Sequence, residues 1–244
     1  MTQATTPQVP EVVTRSAAAE GFLSRSRRPA RSRVAEEVTV AVEPRGKRAV
    51  EVTAVLLALP VRLPFLGLLA LAVRLDSRGP ACFRQSRYGR DGRVFTLWKL
   101  RSMVSDADDA LPGVLASCDR KSAEWDTHAK LRRDPRLTRL GGWLRRSSLD
   151  ELPQLFNVLR GEMSLVGPRP IPLEERSRYG QAFAPYAQVR PGLTGLWQVS
   201  GRNELAYSQR IALDRQYLRS RTWRMEAAIL WRTVWAVWSG RGAY

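Results

Sequence analysis

The fold is decided by the apolar segment at residues 50–75, VEVTAVLLALPVRLPFLGLLALAVRL. Its 26 residues, if fully helical, would extend roughly 39 Å at about 1.5 Å per residue, nominally enough to cross a bilayer. Pro60 and Pro64 each remove a helix hydrogen bond, and Arg62 places a charge near the middle. These residues predict a broken helix that enters the membrane and returns. A kinked transmembrane helix stays open as an alternative, whereas a buried core helix would require an internal partner for Arg62.

Basic residues flank the apolar segment on both sides, which favours a cytoplasmic position for both of its ends. They are Arg45, Lys47 and Arg48 before it and Arg74, Arg78 and Arg84 after it. Residues 1–46 are rich in Thr, Ser, Pro, Ala and Arg without a sustained apolar period, and are predicted to be a disordered basic arm. The chain is therefore divided into this arm, a membrane helix at 47–78 and a cytoplasmic domain at 79–244.

The composition is strongly basic, with 40 Lys+Arg against 23 Asp+Glu and a net charge of +17. Such a charge favours anionic partners, either a membrane surface or nucleic acid. Cys82 and Cys118 lack metal-ligand spacing and are predicted to be free thiols. With a single histidine in the chain, neither a zinc site nor a Ser-His-Asp triad is favoured.

A β-hairpin is predicted after the membrane segment, from strand-like residues at 81–87 and 93–100 around the turn signal Asp91-Gly92. Lys99 and Arg101 are two residues apart on the outgoing strand, so both cations can face one anionic ligand. The alternative is a solvated face of a basic protein.

The strongest candidate site is residues 145–154, RRSSLDELPQ, where Asp150 and Glu151 stand among arginines. Two neighbouring acids can divide phosphoryl transfer, one attacking phosphorus and the other holding a divalent metal, while arginines bind phosphate oxygens. Taken alone, an Asp-Glu pair usually lies on a solvated helix face. Here residues 155–160 form a short helix pattern closed by Gly161, with Pro153 at its first position. The acids would then lie at a helix entrance, where backbone donors favour phosphate or simple caps.

The run from Ser147 onward, SSLDELPQLFNVLRGEMSLVGPRP, resembles the signature of the bacterial sugar transferases, monotopic polyprenyl-phosphate glycosyl-1-phosphate transferases. Other similar motifs occur in the same order along residues 47–244. They are LDSRGP at 75–80, YGRDG at 88–92, WKLRSM at 98–103, RPGLTGLWQVSGRN at 190–203 and GRGAY at 240–244. The last of these is similar to the hexose-1-phosphate transferring branch of the family.

The resemblance implies an α+β, mainly helical fold. Its parts would be an N-terminal re-entrant membrane helix, a short β-hairpin, cytoplasmic catalytic helices and interfacial amphipathic C-terminal helices. The family's Ser-Pro pair at the membrane break is replaced here by Leu63-Pro64. Trp231, Trp235 and Trp238 follow a helical i, i+4, i+7 spacing that is typical of either a core or an interfacial helix, and the resemblance favours the interface.

The implied reaction moves sugar 1-phosphate from a UDP-sugar to polyprenyl phosphate, which initiates exopolysaccharide or other surface glycan synthesis. By analogy with the family, Asp150 is the nucleophile that forms a covalent phosphosugar, and Glu151 holds Mg²⁺. The enzyme would work at the cytoplasmic face of the bacterial inner membrane, in contact with membrane lipid and without nucleic acid. Homo-oligomer formation is left open.

The resemblance also assigns binding residues. Arg145, Arg169 and Lys99 are expected to bind phosphate groups, Arg101 is a further candidate, and Arg202 would belong to a nucleotide-binding loop. Two other function classes stay open: a catalytically inactive membrane scaffold, and a basic nucleic-acid-binding protein. The latter explains the charge but leaves the apolar segment unexplained.

Overall fold

The described part of the chain is mainly helical with two small β-sheets. The computed structural model describes residues 39–128 and 131–239, so most of the predicted arm and the GRGAY motif lie outside the described residues. The helices are α1 (Lys47–Asp76), α2 (Ala107–Ala116), α3 (Asp119–His128), α4 (Arg139–Ser147), α5 (Gln154–Arg160), α6 (Arg176–Tyr179), α7 (Phe183–Ala187), α8 (Tyr207–Ser220) and α9 (Trp223–Ser239). The strands are β1 (Cys82–Tyr88), β2 (Val94–Leu100), β3 (Ser164–Val166), β4 (Ile171–Pro172) and β5 (Gly192–Thr194).

The predicted apolar segment is a helix, α1, of 30 residues. It is the one helix in the described ranges that is long and apolar enough to cross a membrane, judged by length and composition. Every residue in it is helical, Pro60 and Pro64 included, so the expected break at Leu63-Pro64 takes no residue out of the helix. Only 11% of its most apolar window is buried, which leaves a large apolar surface exposed.

Both ends of α1 are attached to the same folded body. At the N-terminal end, the Lys47 ammonium lies 2.7 Å from a Glu226 carboxylate oxygen of α9 and donates to the Val166 carbonyl at 2.8 Å. At the C-terminal end, the Asp76 carboxylate accepts the backbone N–H of Leu140 in α4 at 3.2 Å. The helix therefore lies against the body at both ends instead of leaving it at one.

The predicted hairpin is confirmed. Strands β1 and β2 pair antiparallel from Cys82 opposite Leu100 to Tyr88 opposite Val94. Asp91 and Gly92 have φ angles of 58° and 69°, the left-handed conformation that Asn/Asp-Gly turns adopt readily. Strand β4 pairs with the other edge of β1, and β3 and β5 form a separate parallel pair.

Hydrophobic clusters join α1 to the hairpin and to the helices that carry the site. One cluster contains Leu69, Val73, Leu100 and Leu144, from α1, β2 and α4. A second contains Val55, Phe95, Leu97, Leu155, Val158 and Met163, from α1, β2, α5 and the segment after α5. Because α4 and α5 are each packed between α1 and β2, the short connection between them is held in a fixed place.

The tryptophans of α9 lie at the surface. Trp231, Trp235 and Trp238 are 78%, 63% and 82% exposed, so the alternative that they form a core is wrong. Their exposure agrees with the predicted interfacial helix, which stays a prediction. Cys82 and Cys118 are free and exposed, as predicted.

Candidate functional site

The two predicted catalytic acids lie in a short 3-10 helix, Leu149–Glu151, between α4 and α5. Ser148 enters this turn at φ 57°, a left-handed conformation that costs a non-glycine residue roughly 1–2 kcal/mol. Asp150 is only 6% exposed, whereas the side chain of Glu151 is 36% exposed. The pair thus consists of one enclosed carboxylate and one that faces solvent.

The helix predicted after the acids is confirmed as α5. Gly161 ends it at φ 81°, and Pro153 lies immediately before its first residue, Gln154. The acids therefore precede a helix, although Leu152 and Pro153 separate their 3-10 turn from it.

Lys99, whose predicted role is phosphate binding, contacts the acid pair. It stands near the end of β2, and its ammonium lies 2.7 Å from a carboxylate oxygen of Glu151. The Lys99 side chain is 23% exposed, so the pair is partly shielded from water. An ammonium in this position can also contact an anionic ligand bound beside Glu151.

Arg145, in the last turn of α4, is brought close to both acids. Its Nε donates to the Ser102 hydroxyl at 2.9 Å, which fixes the direction of the guanidinium. Burial lowers the pKa of Arg145, and the negative charges of Asp150, Asp134 and Glu151 oppose that shift. An arginine stays protonated despite such a shift, so Arg145 supplies a fixed positive charge next to Asp150.

Arg202 also interacts electrostatically with Glu151. It stands at φ 51° in the loop before α8, and its Nε donates to the Gln198 carbonyl at 3.3 Å. Burial lowers the pKa of Arg202, and the charge of Glu151 raises it. The predicted nucleotide-loop residue is thus part of the same electrostatic cluster.

Arg87 belongs to this cluster and was missed by the sequence analysis. It is 6% exposed, and its guanidinium donates to the Pro170 carbonyl at 3.0 Å. Burial and the positive charge of Arg169 lower its pKa to about 10, while Glu175 and Glu151 act in the opposite direction. No local signal marks Arg87, because its place on β1 is fixed by contacts with residues far away in the chain, such as the Pro170 carbonyl.

Arg169 is held by the loop that follows β3. The backbone N–H of Gly167 donates to the Thr194 carbonyl at 2.9 Å, and that of Gly192 donates to the Pro168 carbonyl at 2.8 Å. The Arg169 guanidinium lies 5.4 Å from the centre of the Trp197 ring. The Gly-Pro-Arg-Pro motif thus presents its arginine from a loop that is tied to β5.

Asp214 of α8 is a buried acid beneath this loop. It is 2% exposed, and the Tyr179 hydroxyl donates to it at 2.8 Å. Burial raises its pKa to about 7, although the Tyr179 hydrogen bond and the charge and backbone of Arg169 lower it.

The structure separates Arg101 from Lys99. The Arg101 guanidinium donates to the Ser77 carbonyl at 2.6 Å and to the Arg78 carbonyl at 2.7 Å, just after α1. It is 6% exposed. These contacts are those of a residue that fixes the end of α1, and substrate binding by Arg101 stays a prediction.

Metal binding can be judged from the donor set. In the described ranges, no group of three or more His, Cys, Asp or Glu side chains could enclose a metal ion. Mg²⁺, however, is commonly held by one or two carboxylates together with substrate phosphates. Glu151, half-exposed and surrounded by cations that favour a phosphate ligand, fits such a shared site.

The sequence of this chain matches a known family over most of its length. The family model described as "Bacterial sugar transferase" matches residues 42–240. The chain belongs to the bacterial sugar transferase family. Among its relatives, the undecaprenyl-phosphate galactose phosphotransferase of Salmonella typhimurium is 43% identical over 198 residues, covering 81% of this chain and 41% of the relative.

Two further relatives are similar to this chain at comparable identity and over a comparable part of its length. The exopolysaccharide production protein ExoY of Rhizobium meliloti is 40% identical over 211 residues, covering 85% of this chain and 93% of that protein. The undecaprenyl-phosphate glucose phosphotransferase of Komagataeibacter xylinus is 42% identical over 199 residues, covering 77% of this chain and 35% of the relative. The chain spans about two fifths of the length of several of these transferases, and nearly the whole of the shorter one.

Proposed function

We propose that this protein transfers sugar 1-phosphate from a UDP-sugar to polyprenyl phosphate. The observation that carries the proposal is the pair Asp150 and Glu151, with Lys99 in contact and three arginines acting electrostatically on Glu151. Cations gathered around two acids suit a substrate that is itself a polyanion, because the diphosphate of a nucleotide sugar needs this charge to approach carboxylates. Relatives named as undecaprenyl-phosphate galactose and glucose phosphotransferases support a polyprenyl phosphate acceptor.

The proposed reaction has two displacements at phosphorus. An Asp150 carboxylate oxygen attacks the phosphorus that bears the sugar, its bond to that phosphorus forms, and the diphosphate P–O bond breaks to release UMP. An oxygen of the lipid phosphate then attacks the same phosphorus. The acyl phosphate bond breaks, the Asp150 carboxylate is regenerated, and polyprenyl diphosphate sugar leaves.

The cations have separate tasks in this scheme. Lys99 and Arg145 lie nearest the acids and would bind phosphate oxygens of the donor. Arg87, Arg169 and Arg202 would hold the remaining phosphate charge and the nucleotide side of the site. Mg²⁺, when bound by Glu151 together with the diphosphate, would offset negative charge on the departing UMP.

The proposal places the enzyme on the cytoplasmic face of the membrane, with α1 inserted and returning. Its support is that both ends of α1 pack on one body, since a helix crossing the bilayer would carry one end away from that body. The exposed tryptophans of α9 would lie along the lipid headgroups. The acids would then face the cytoplasm close to the lipid phosphate, and the reaction would initiate exopolysaccharide or another surface glycan.

UMP release from a panel of UDP-sugars, with polyprenyl phosphate and Mg²⁺ in detergent, tests the reaction. The wild type should release UMP, and Asp150→Asn should release at least about 10³-fold less because the nucleophile is gone. Asp91→Asn is a matched control, since Asp91 is an exposed turn residue at φ 58° that asparagine tolerates. Intact-mass measurement should detect a phosphosugar adduct on the wild type only when acceptor is omitted.

The scaffold alternative makes the opposite prediction. If no donor gave UMP or an adduct, and Asp150→Asn left function in cells unchanged, the transferase proposal would be wrong. A nucleic-acid-binding protein does not account for the exposed apolar surfaces of α1 and α9.

A further inference from the structure

A shallow apolar groove lies between the middle of α1 and the start of α5. Its walls are formed by Leu59, Leu63 and Leu66 of α1 and by Leu152, Leu155 and Phe156 on the other side. Leu63 and Phe156 are 45% and 38% exposed, so the groove is open to its surroundings along one edge. It adjoins the segment that carries the acids, since Leu152 directly follows the 3-10 helix that contains Asp150.

Arg62 lines the same groove and interrupts a regular pattern. Val55, Leu59, Leu66, Leu69 and Val73 follow the three- and four-residue spacing of one helix face, and the position between Leu59 and Leu66 on that face is Arg62. The outer members of this stripe are buried against the body, whereas Arg62 is exposed. A cation thus stands where packing would favour an aliphatic side chain.

Arg62 forms no hydrogen bond or ion pair with any other residue in the described part of the chain. A charged side chain at membrane depth is costly unless it reaches water or meets an opposite charge. A guanidinium on the wall of an apolar groove is complementary to one kind of molecule, an anionic headgroup attached to an apolar chain. Leu152 in the groove wall is two residues from the candidate nucleophile Asp150, so the groove adjoins the segment that carries the acids.

We propose that this groove binds the polyprenyl phosphate acceptor, with its first isoprene units against the leucines and its phosphate on Arg62. The inference rests on the proposed function, because it assigns a site to the acceptor of that reaction. It goes beyond the binding residues that the family resemblance assigned, none of which lies in the middle of α1. The groove would hold the acceptor while Asp150 carries the phosphosugar.

The experiment separates the two half-reactions. Adduct formation from UDP-sugar without acceptor reports only the donor step, and transfer from the purified adduct to polyprenyl phosphate reports only the acceptor step. Arg62→Leu should leave the rate of adduct formation unchanged and raise the apparent KM for polyprenyl phosphate by about tenfold to a hundredfold, the loss of one charge-assisted contact. Arg62→Lys should recover part of that loss because it restores the charge without the planar fork.

Arg74→Leu is the matched control, since Arg74 is an exposed arginine of the same helix that does not line the groove. It should leave both half-reactions unchanged. Phe156→Ala should raise the KM for a short-chain and a long-chain isoprenyl phosphate by the same factor, because only the first units occupy the groove. An equal KM in wild type and Arg62→Leu would overturn the inference.

Two other outcomes are also decisive. If the Arg62→Leu defect appears only in vesicles that contain anionic phospholipid, and not in purely zwitterionic ones, Arg62 binds membrane headgroups and the inference is wrong. If the wild type forms no adduct at all, the proposed function fails first. Adduct formation with an acceptor step that is insensitive to Arg62 would refute only the groove.

Discussion

Two adjacent glycines in α4, Gly141 and Gly142, should respond in opposite ways to the same substitution. A Cβ added at Gly141 would lie 1.9 Å from the Ser102 carbonyl oxygen and 2.6 Å from its carbon, both backbone atoms. At Gly142 the same atom would meet nothing within 4 Å. The two glycines are neighbours in one helix, but only Gly141 of the pair lies at a close backbone approach.

The cost of Gly141→Ala follows from that contact. Ordinary contact begins at 3.4 Å, so α4 and the Ser102 backbone must separate by about 1.5 Å. Overpacking of this kind costs roughly 1–3 kcal/mol. Separation also weakens the bond from the Thr138 N–H to the Ser102 carbonyl, now 3.1 Å, for about 1 kcal/mol more. We expect a total loss of about 2–4 kcal/mol, or a Tm lower by about 4–16 °C.

Gly142→Ala should instead stabilise the protein by about 0.5–1 kcal/mol, because alanine loses less backbone freedom in a helix. Thermal unfolding in detergent, followed by circular dichroism, compares the two variants directly. Gly141→Ala should also slow adduct formation, since Arg145 is hydrogen-bonded to Ser102 and moves with α4. Equal Tm values for the two variants would refute the reasoning.

Three further predictions concern buried charge and the membrane surface. Lys47→Met should lower the free energy of unfolding by about 3–5 kcal/mol because it leaves Glu226 buried without its partner, and adding Glu226→Gln should recover part of the loss in denaturant titrations. The pKa of Asp214 is raised to about 7, so its folded form holds a proton more tightly than the unfolded chain does. Stability should therefore fall as pH rises from about 4 to about 7, and Asp214→Asn should flatten that dependence in thermal melts. If α9 is interfacial, lipids brominated in their acyl chains should quench less tryptophan fluorescence after Trp231→Phe. Because Trp197 is buried, Trp197→Phe should leave the quenched amount unchanged. Equal effects of the two substitutions would contradict an interfacial α9.

Local signals predicted the elements whose patterns extend over many residues. Strand-like residues around the turn signal Asp91-Gly92 predicted the hairpin, and continuous apolarity predicted α1. The parallel pairing of β3 with β5 was not predicted, because three-residue strands show no usable periodicity. Its stability comes instead from close backbone packing, as at Gly192, where a Cβ would lie 2.1 Å from the Gly167 nitrogen.

Within the site, the motif located the acids but not all of their surroundings. Lys99, predicted to bind phosphate, is in contact with Glu151, while its phosphate binding stays a prediction. Arg87 was missed because a buried strand arginine has the same local sequence as a solvated one, and only its burial and the charges of Arg169, Glu175 and Glu151 distinguish them. Arg101 is the opposite case. The alternation of side chains along a strand predicted that it faces the same ligand as Lys99, but its guanidinium donates hydrogen bonds to carbonyls just after α1. Contacts between residues far apart in the chain decide these outcomes.

In the proposed reaction, the charge balance of the site would let substrate binding and nucleophilic attack occur at one place. Lys99, Arg87, Arg145 and Arg202 carry four positive charges near the two carboxylates, so the cluster has an excess of positive charge. A carboxylate attacking a diphosphate must overcome repulsion between anions, and fixed cations reduce that repulsion before the reaction begins. The ion pair between Lys99 and Glu151 also partly neutralises the Glu151 carboxylate, so this second acid repels the incoming diphosphate less. Removing the Lys99 charge should therefore slow attack by Asp150 more than it weakens donor binding, since the cation is most needed where negative charge accumulates between nucleophile and phosphorus.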